Sequence, residues 1–151
     1  MTDLDALESW VAPLLDKLQP AQRRKLAAAI ARELRRSQSA RIRAQQDPDG
    51  SPFQPRKPQH RQHRQRQGAI RRGPMFAKIR QAKHLRITSS PSAAGVGFTG
   101  RVARIARVHH YGLRDRVTPG GPHYPYPARP LIGISEADRN LVRDMLIDHL
   151  T

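Results

Sequence analysis

The chain is predicted to be an α+β protein, a small antiparallel sheet packed with N-terminal, middle and C-terminal helices, plus a long basic extended arm. Three observations predict this. Apolar residues recur at three- and four-residue steps near the start, periodicity of either kind is missing from Ser51 to Pro74, and short strand-like runs followed by helical spacing fill the second half. With 151 residues the chain is of single-domain size. It divides into a helical part over residues 1–46, a basic arm or loop over 47–75 and an α+β core over 76–151.

Leu4, Leu7, Val11, Leu14, Leu15 and Leu18 form one apolar face with Trp10 beside it, and Pro13 is expected to kink or split this first helix. Pro20 suits the first turn of a second helix. Its stripe of Leu26, Ile30 and Leu34 continues past Ile42, and Arg24, Lys25, Arg32, Arg35 and Arg36 occupy the other face, the pattern of a surface helix. The DPDG turn at Asp47–Gly50 ends it. Between Ser51 and Pro74 the residues are mostly Gln, Arg, His, Pro and Gly, a composition that, in isolation, buries too little apolar surface to offset its ordering entropy.

His84–Ser89 and Ala94–Thr99 read as short strands joined through Ser90-Pro91-Ser92. Val102, Ile105, Ala106 and His109 mark a short amphipathic helix, which Gly112 ends with a left-handed cap. Leu113–Pro122 is expected to be a loop and His123–Pro127 extended, because each proline biases its predecessor away from helix. Ser135 with Asp138 three residues on is a capping-box variant, opening a last helix through Leu141, Val142, Met145 and Leu150.

The formal charge is +16, and all of the excess lies between Arg23 and Arg86, with 19 basic residues against Glu33, Asp47 and Asp49. Such asymmetry implies an anionic neighbour: nucleic acid, a lipid surface or an acidic protein. The chain has no cysteine, hence neither disulfides nor thiolate metal sites. The acidic start MTDLDALESW lacks the features of a signal peptide, and no apolar run approaches the roughly 18–20 residues of a membrane span, so a soluble cytoplasmic chain is expected.

Catalytic and ligand-binding signatures are weak. GVGFTG at Gly95–Gly100 fits the dinucleotide fingerprint in letters but lacks a firm strand before it and a second parallel strand after its helix, so a glycine-bearing strand or bulge is the better reading. Adjacent His109 and His110 point about 100° apart on a helix and chelate poorly; a half-buried histidine is expected. The few acids are scattered, and no His-Glu-x-x-His or Gly-x-Ser-x-Gly occurs. The expectation is a non-enzyme without metal or cofactor. Within QHRQHRQRQ at Gln59–Gln67, Arg61, Arg64 and Arg66, followed by Arg71 and Arg72, are suited to phosphates, but no recognition helix, zinc finger or aromatic platform accompanies them. A sequence-nonspecific nucleic-acid-binding protein using residues 22–86 stays open on the residues alone.

ARIARVHHYG at Ala103–Gly112, then Leu113-Arg114-Asp115-Arg116, YPARPLIGIS at Tyr126–Ser135 and the closing amphipathic helix resemble the phage virion morphogenesis family of contractile-tailed phages. Upstream, Asp47–Gly50, Phe53-x-Pro55 with Lys57, Gly73-Pro74-Met75-Phe76 and Val96-Gly97-Phe98 fall in the family's order, so the resemblance covers about Ile42 to Leu150. It implies a structural virion protein, made in the host cytoplasm, that completes the tail at its head-proximal end and supports head–tail joining. It further implies a homo-oligomer, a six-fold ring contacting the tail tube and sheath or neck proteins. Arg61, Arg64, Arg66, Arg71, Arg72, Tyr126 and Arg129 are then candidate assembly residues, the first five also candidates for nonspecific contact with genomic DNA. Arg129, in the stiff Tyr126–Pro130 segment, is a fork donor for a carboxylate or backbone carbonyls, within its own domain or across subunits. Terminator and adaptor roles both fit, as do a phage and a phage-derived particle.

Overall fold

The computed structural model describes residues 3–56 and 73–150, which hold four helices and two small antiparallel sheets. Helix α1 runs Asp3–Leu15 and contains Pro13. The proline does not split it: the helix runs on for two residues past Pro13 and ends there. Helix α2, Pro20–Arg43, starts with Pro20 in its first turn while the Gln22 side chain accepts the Gln19 N–H at 3.1 Å.

The four-residue stripe of α2 organises the rest. A step of four overshoots the 3.6-residue turn by about 40°, so from Leu26 to Ile42 the stripe winds roughly 160° around the helix. Its first half packs Leu26, Ile30 and Leu34 with Val11 of α1 and with Leu146 of the last helix. Its end packs Ile42 with Phe53, Ala106 and Leu131 in a second cluster. Arg24, Lys25, Arg32 and Arg36 stay exposed and Arg35 is half-buried, as expected of the outer face.

Strands β1, Leu85–Ser89, and β2, Ala94–Phe98, form a hairpin against α2, pairing Leu85 with Phe98 and Ser89 with Ala94. Ser90 closes it: its N–H donates to the Ala93 carbonyl at 2.8 Å and its Oγ accepts the Ala93 N–H at 3.0 Å. The glycines of GVGFTG are therefore structural, two in the strand and Gly100 at φ 67°, ψ −148° as the corner into helix α3, Arg101–Tyr111. Gly112 ends α3 at φ 66°, as expected.

The loop expected over Leu113–Pro122 is corrected in part. Arg114–Arg116 is strand β3, pairing with β4, His123–Pro125, in a second hairpin closed by Val117 N–H donating to the Pro122 carbonyl at 3.3 Å. A three-residue strand carrying two arginines shows no alternation long enough to read. Helix α4, Glu136–Leu150, opens with the predicted capping box: Asp138 N–H donates to Ser135 Oγ and Ser135 N–H to Asp138 Oδ2, both at 3.0 Å.

Asp138 also anchors α4 to α2. It is 1% exposed and accepts hydrogen bonds from Ser37 Oγ, from Gln38 Nε2 at 3.1 Å and from Arg41 Nη1 at 3.4 Å. Gln38 further joins Gly133 through both of its amide atoms, donating at 3.0 Å and accepting at 3.1 Å. Burial alone would raise the Asp138 carboxyl, yet the Ser37 and Ser135 hydrogen bonds and the Arg41 charge hold it below the ordinary value.

Candidate functional site

The end of α2 gathers distant pieces of chain. Gln45, at φ 60°, donates its Nε2 to the carbonyls of Ile42 at 2.8 Å and Met75 at 2.9 Å, while its Oε1 accepts the Met75 N–H at 3.0 Å. Its own carbonyl accepts the Phe53 N–H at 2.7 Å. Arg56 Nη1 donates to the Gly73 carbonyl at 2.8 Å. Residues 46–56 and 73–75 are thus stitched to the helix end, and Phe53, in a stretch expected to be arm or loop, is a core residue.

From Phe53 a row of rings leads outward: Phe76, His109, Tyr126 and Tyr124 follow at centroid distances of 5.7, 5.1, 4.8 and 5.0 Å, each pair edge to face. Phe76 has φ 65°, a left-handed backbone unusual for a bulky residue, and sits between Phe53 and His109. Burial pushes the His109 imidazole below its ordinary pKa, the Arg129 charge adds to this and Asp115 opposes it, so the ring is neutral at pH 7. His110 is lowered by burial as well, and its Nδ1 accepts the Leu131 N–H at 3.0 Å. The half-buried histidines expected from sequence are found, and among the described residues no group of three or more His, Cys, Asp or Glu could hold a metal ion.

The row forms one wall of an open cleft of about 880 Å³. Phe76, His109, Val117, Tyr124 and Tyr126 give it an apolar surface, while Arg56 and Arg129 supply its charge. Arg129 is 6% exposed and its fork holds carbonyls of its own chain, Nε donating to Gln54 at 2.7 Å and Nη2 to Pro55 at 3.0 Å. Prolines 52 and 55 leave this stretch unable to build a regular ladder, and the guanidinium satisfies the carbonyls instead. Its backbone N–H donates to the His109 carbonyl at 2.7 Å, fixing Tyr126–Pro130 against the end of α3. Gly112 makes that approach possible: a Cβ there would lie 2.7 Å from the Ala128 nitrogen.

Of the expected site residues, Tyr126 and Arg129 come together in this cleft, whereas Arg61, Arg64, Arg66, Arg71 and Arg72 lie outside the described residues. Arg56, which lines the cleft, is hydrogen-bonded to Gly73. Phe53, Phe76, Gln45 and Val117 were not legible as parts of the site. The available signal was scarcity, since the chain has only three phenylalanines and one of them, Phe53, directly follows a proline in otherwise polar sequence.

The cleft is thus largely apolar with a basic edge. Tail completion protein S of Escherichia phage P2 is 36% identical over 151 residues, which covers 99% of each chain. No solved structure matches the chain. The sequence profile of the phage virion morphogenesis family matches residues 2–151, and the chain belongs to that family.

Proposed function

We propose that the chain is a structural virion subunit that completes a phage tail at its head-proximal end and supports the joining of tail to head. The observation that carries this reading is the full-length likeness to a tail completion protein, 36% identity spread over 99% of both chains rather than confined to one motif. The subunits form a six-fold ring, assembled in the host cytoplasm, that meets the tail tube and the sheath or neck proteins. Tyr126 and Arg129 belong to the face used in assembly, since the cleft they line is apolar, open and otherwise unexplained. Arg61, Arg64, Arg66, Arg71 and Arg72 serve the same assembly, a reading supported by their charge. Nonspecific contact with DNA passing through the ring is a secondary role of the same charges.

Light scattering of the purified chain across a concentration and salt series, with and without tail tubes, tests the reading. Six chains of 17.1 kDa give a discrete particle of about 103 kDa, in solution or on tubes. A monomer that ignores tubes and binds DNA tightly in moderate salt would overturn it. Changing Arg61, Arg64 and Arg66 together to Gln is expected to leave the monomer folded and impair ring formation; unchanged assembly and infectivity would remove those residues from the interface.

A further inference from the structure

We infer that Trp10 on α1 of one copy seats in the aromatic cleft of the next, so that the ring is built by a head-to-tail contact between two unlike ends of the molecule. The inference rests on the ring reading above and names the surfaces that make the ring.

Trp10 is the chain's single tryptophan and is 47% exposed. Val11 and Leu7 turn toward the core, whereas Trp10, one turn on from Leu7, stands at the solvent edge of that face with the exposed small residues Ala6 and Pro13 one turn away on either side. An indole so placed is a large apolar group with a polar N–H, the type of side chain that anchors protein contacts. The cleft offers what such a group binds: edge-to-face rings of His109, Tyr124 and Tyr126, and the exposed guanidinium of Arg56, a group whose preferred aromatic partner is indole. Its volume of about 880 Å³ admits the side chain together with part of the helix that carries it.

Charge selects the same pairing. Residues 3–16 carry Asp3, Asp5, Glu8 and Asp16 with no Lys or Arg, a formal −4 in an otherwise basic chain. Arg56 and Arg129 line the cleft and none of the residues lining it is acidic. An acidic helix bearing an exposed indole and a basic cleft walled by rings are complementary surfaces.

A copy cannot fill its own cleft. Helix α1 packs on the Leu26–Leu34 half of α2, whereas the cleft lies beside the cluster of Ile42 and Phe53. Leu26 and Ile42 are about 24 Å apart along the helix axis. Two unlike patches at separate ends produce a heterologous contact, which propagates and closes into a ring when the rotation per subunit allows.

The single tryptophan is also the reporter. Wild-type emission is expected to shift to the blue as the ring forms on concentration or on tail tubes. Trp10→Ala, and separately Val117→Glu at an exposed lip of the cleft, are expected to keep wild-type circular dichroism and to weaken assembly by about 30-fold or more, the effect of removing an interface anchor. Mixed together, the two variants should form a one-to-one pair of about 34 kDa that grows no further, because only one good interface exists between them. A ring made by Trp10→Ala at wild-type concentration, or emission unchanged on assembly, would overturn the inference and leave the ring reading standing. Rings of Trp10→Ala that fail only to attach to tails would assign Trp10 to another tail protein and overturn it too. A wild-type chain that stays monomeric even with tail tubes would bring down both.

Discussion

Replacing Asp138 by alanine is expected to cost about 3–5 kcal/mol of folding free energy, and the structure says why. The carboxylate receives Ser37 Oγ, Gln38 Nε2, the Ser135 N–H and the guanidinium of Arg41, whose side chain is 10% exposed. Loss of the helix cap alone accounts for about 1 kcal/mol. The larger part comes from Arg41, left buried without its counter-charge, and from donors left without acceptors. These effects share atoms and do not add, so the estimate stays at the cost of breaking one buried pair. In a domain whose whole stability is of order 5–15 kcal/mol the melting temperature should fall by about 6–20 °C. Urea unfolding followed by circular dichroism at pH 7 measures the first quantity. A pH series identifies the cause: because the folded carboxyl sits below its ordinary value, its contribution is complete above about pH 4 and is lost as pH falls through the folded-state value. The gap between wild type and Asp138→Ala should therefore close in acid, and Asp138→Asn should fall between the two at pH 7. A loss under about 1 kcal/mol, or a gap that persists unchanged into strong acid, would refute the account of the network.

Gly112→Ala is expected to destabilise by more than the roughly 1–2 kcal/mol of a left-handed L-residue, since its Cβ would also meet the Ala128 backbone at 2.7 and 2.9 Å; denaturant midpoints check this. His109 and His110 both have lowered folded-state pKa values, so the unfolded chain binds their protons first. Stability should be full above about pH 6.5 and decline as pH falls from there toward the folded-state values, with a shallower decline in His109→Phe, which has no hydrogen bond at the buried Nδ1 to lose. Arg129→Ala should cost about 2–3 kcal/mol by leaving the Gln54 and Pro55 carbonyls without their charged donor, and Arg129→Lys, which lacks the planar fork, should recover only part of it in the same urea assay.

Local signals were legible and distant ones were not. Pro20, the Ser135–Asp138 box, the Ser90–Ser92 turn and Gly112 each act within a few residues, and each forms the cap or turn its chemistry predicts. Phe53 and Phe76 enter the core because Gln45, at the end of α2, binds the backbone of both Phe53 and Met75, residues far apart in sequence, a contact that no local pattern encodes. Gln38 was readable in principle. It occupies the four-residue stripe between Leu34 and Ile42, so a buried amide in need of partners could have been inferred there. The proline-flanked stretch of Tyr126 and Arg129 reads from sequence as a stiff segment, but sequence could not say whose carbonyls the arginine would hold. The geometry shows that they belong to Gln54 and Pro55 of its own chain.

The polar network does something the apolar clusters cannot. Leu26, Ile30 and Leu34 repeat every four residues, and α4 presents Val142, Met145, Leu146 and Leu150 toward them, so sliding α4 by one turn, about 5.4 Å, replaces one apolar contact with another of similar kind. The same slide would leave Ser37, Gln38, Arg41 and Asp138 buried without partners, a cost of several kcal/mol. The network therefore selects one register between α2 and α4. Because α1 packs on the same face, it also sets the distance from Trp10 to the aromatic cleft, on which a head-to-tail contact depends. Replacing Ser37, Gln38, Arg41 and Asp138 together with apolar residues is expected to keep the helical content while broadening or doubling the methyl resonances of Val142 and Leu146. A single sharp set of resonances would mean that apolar packing alone fixes the register.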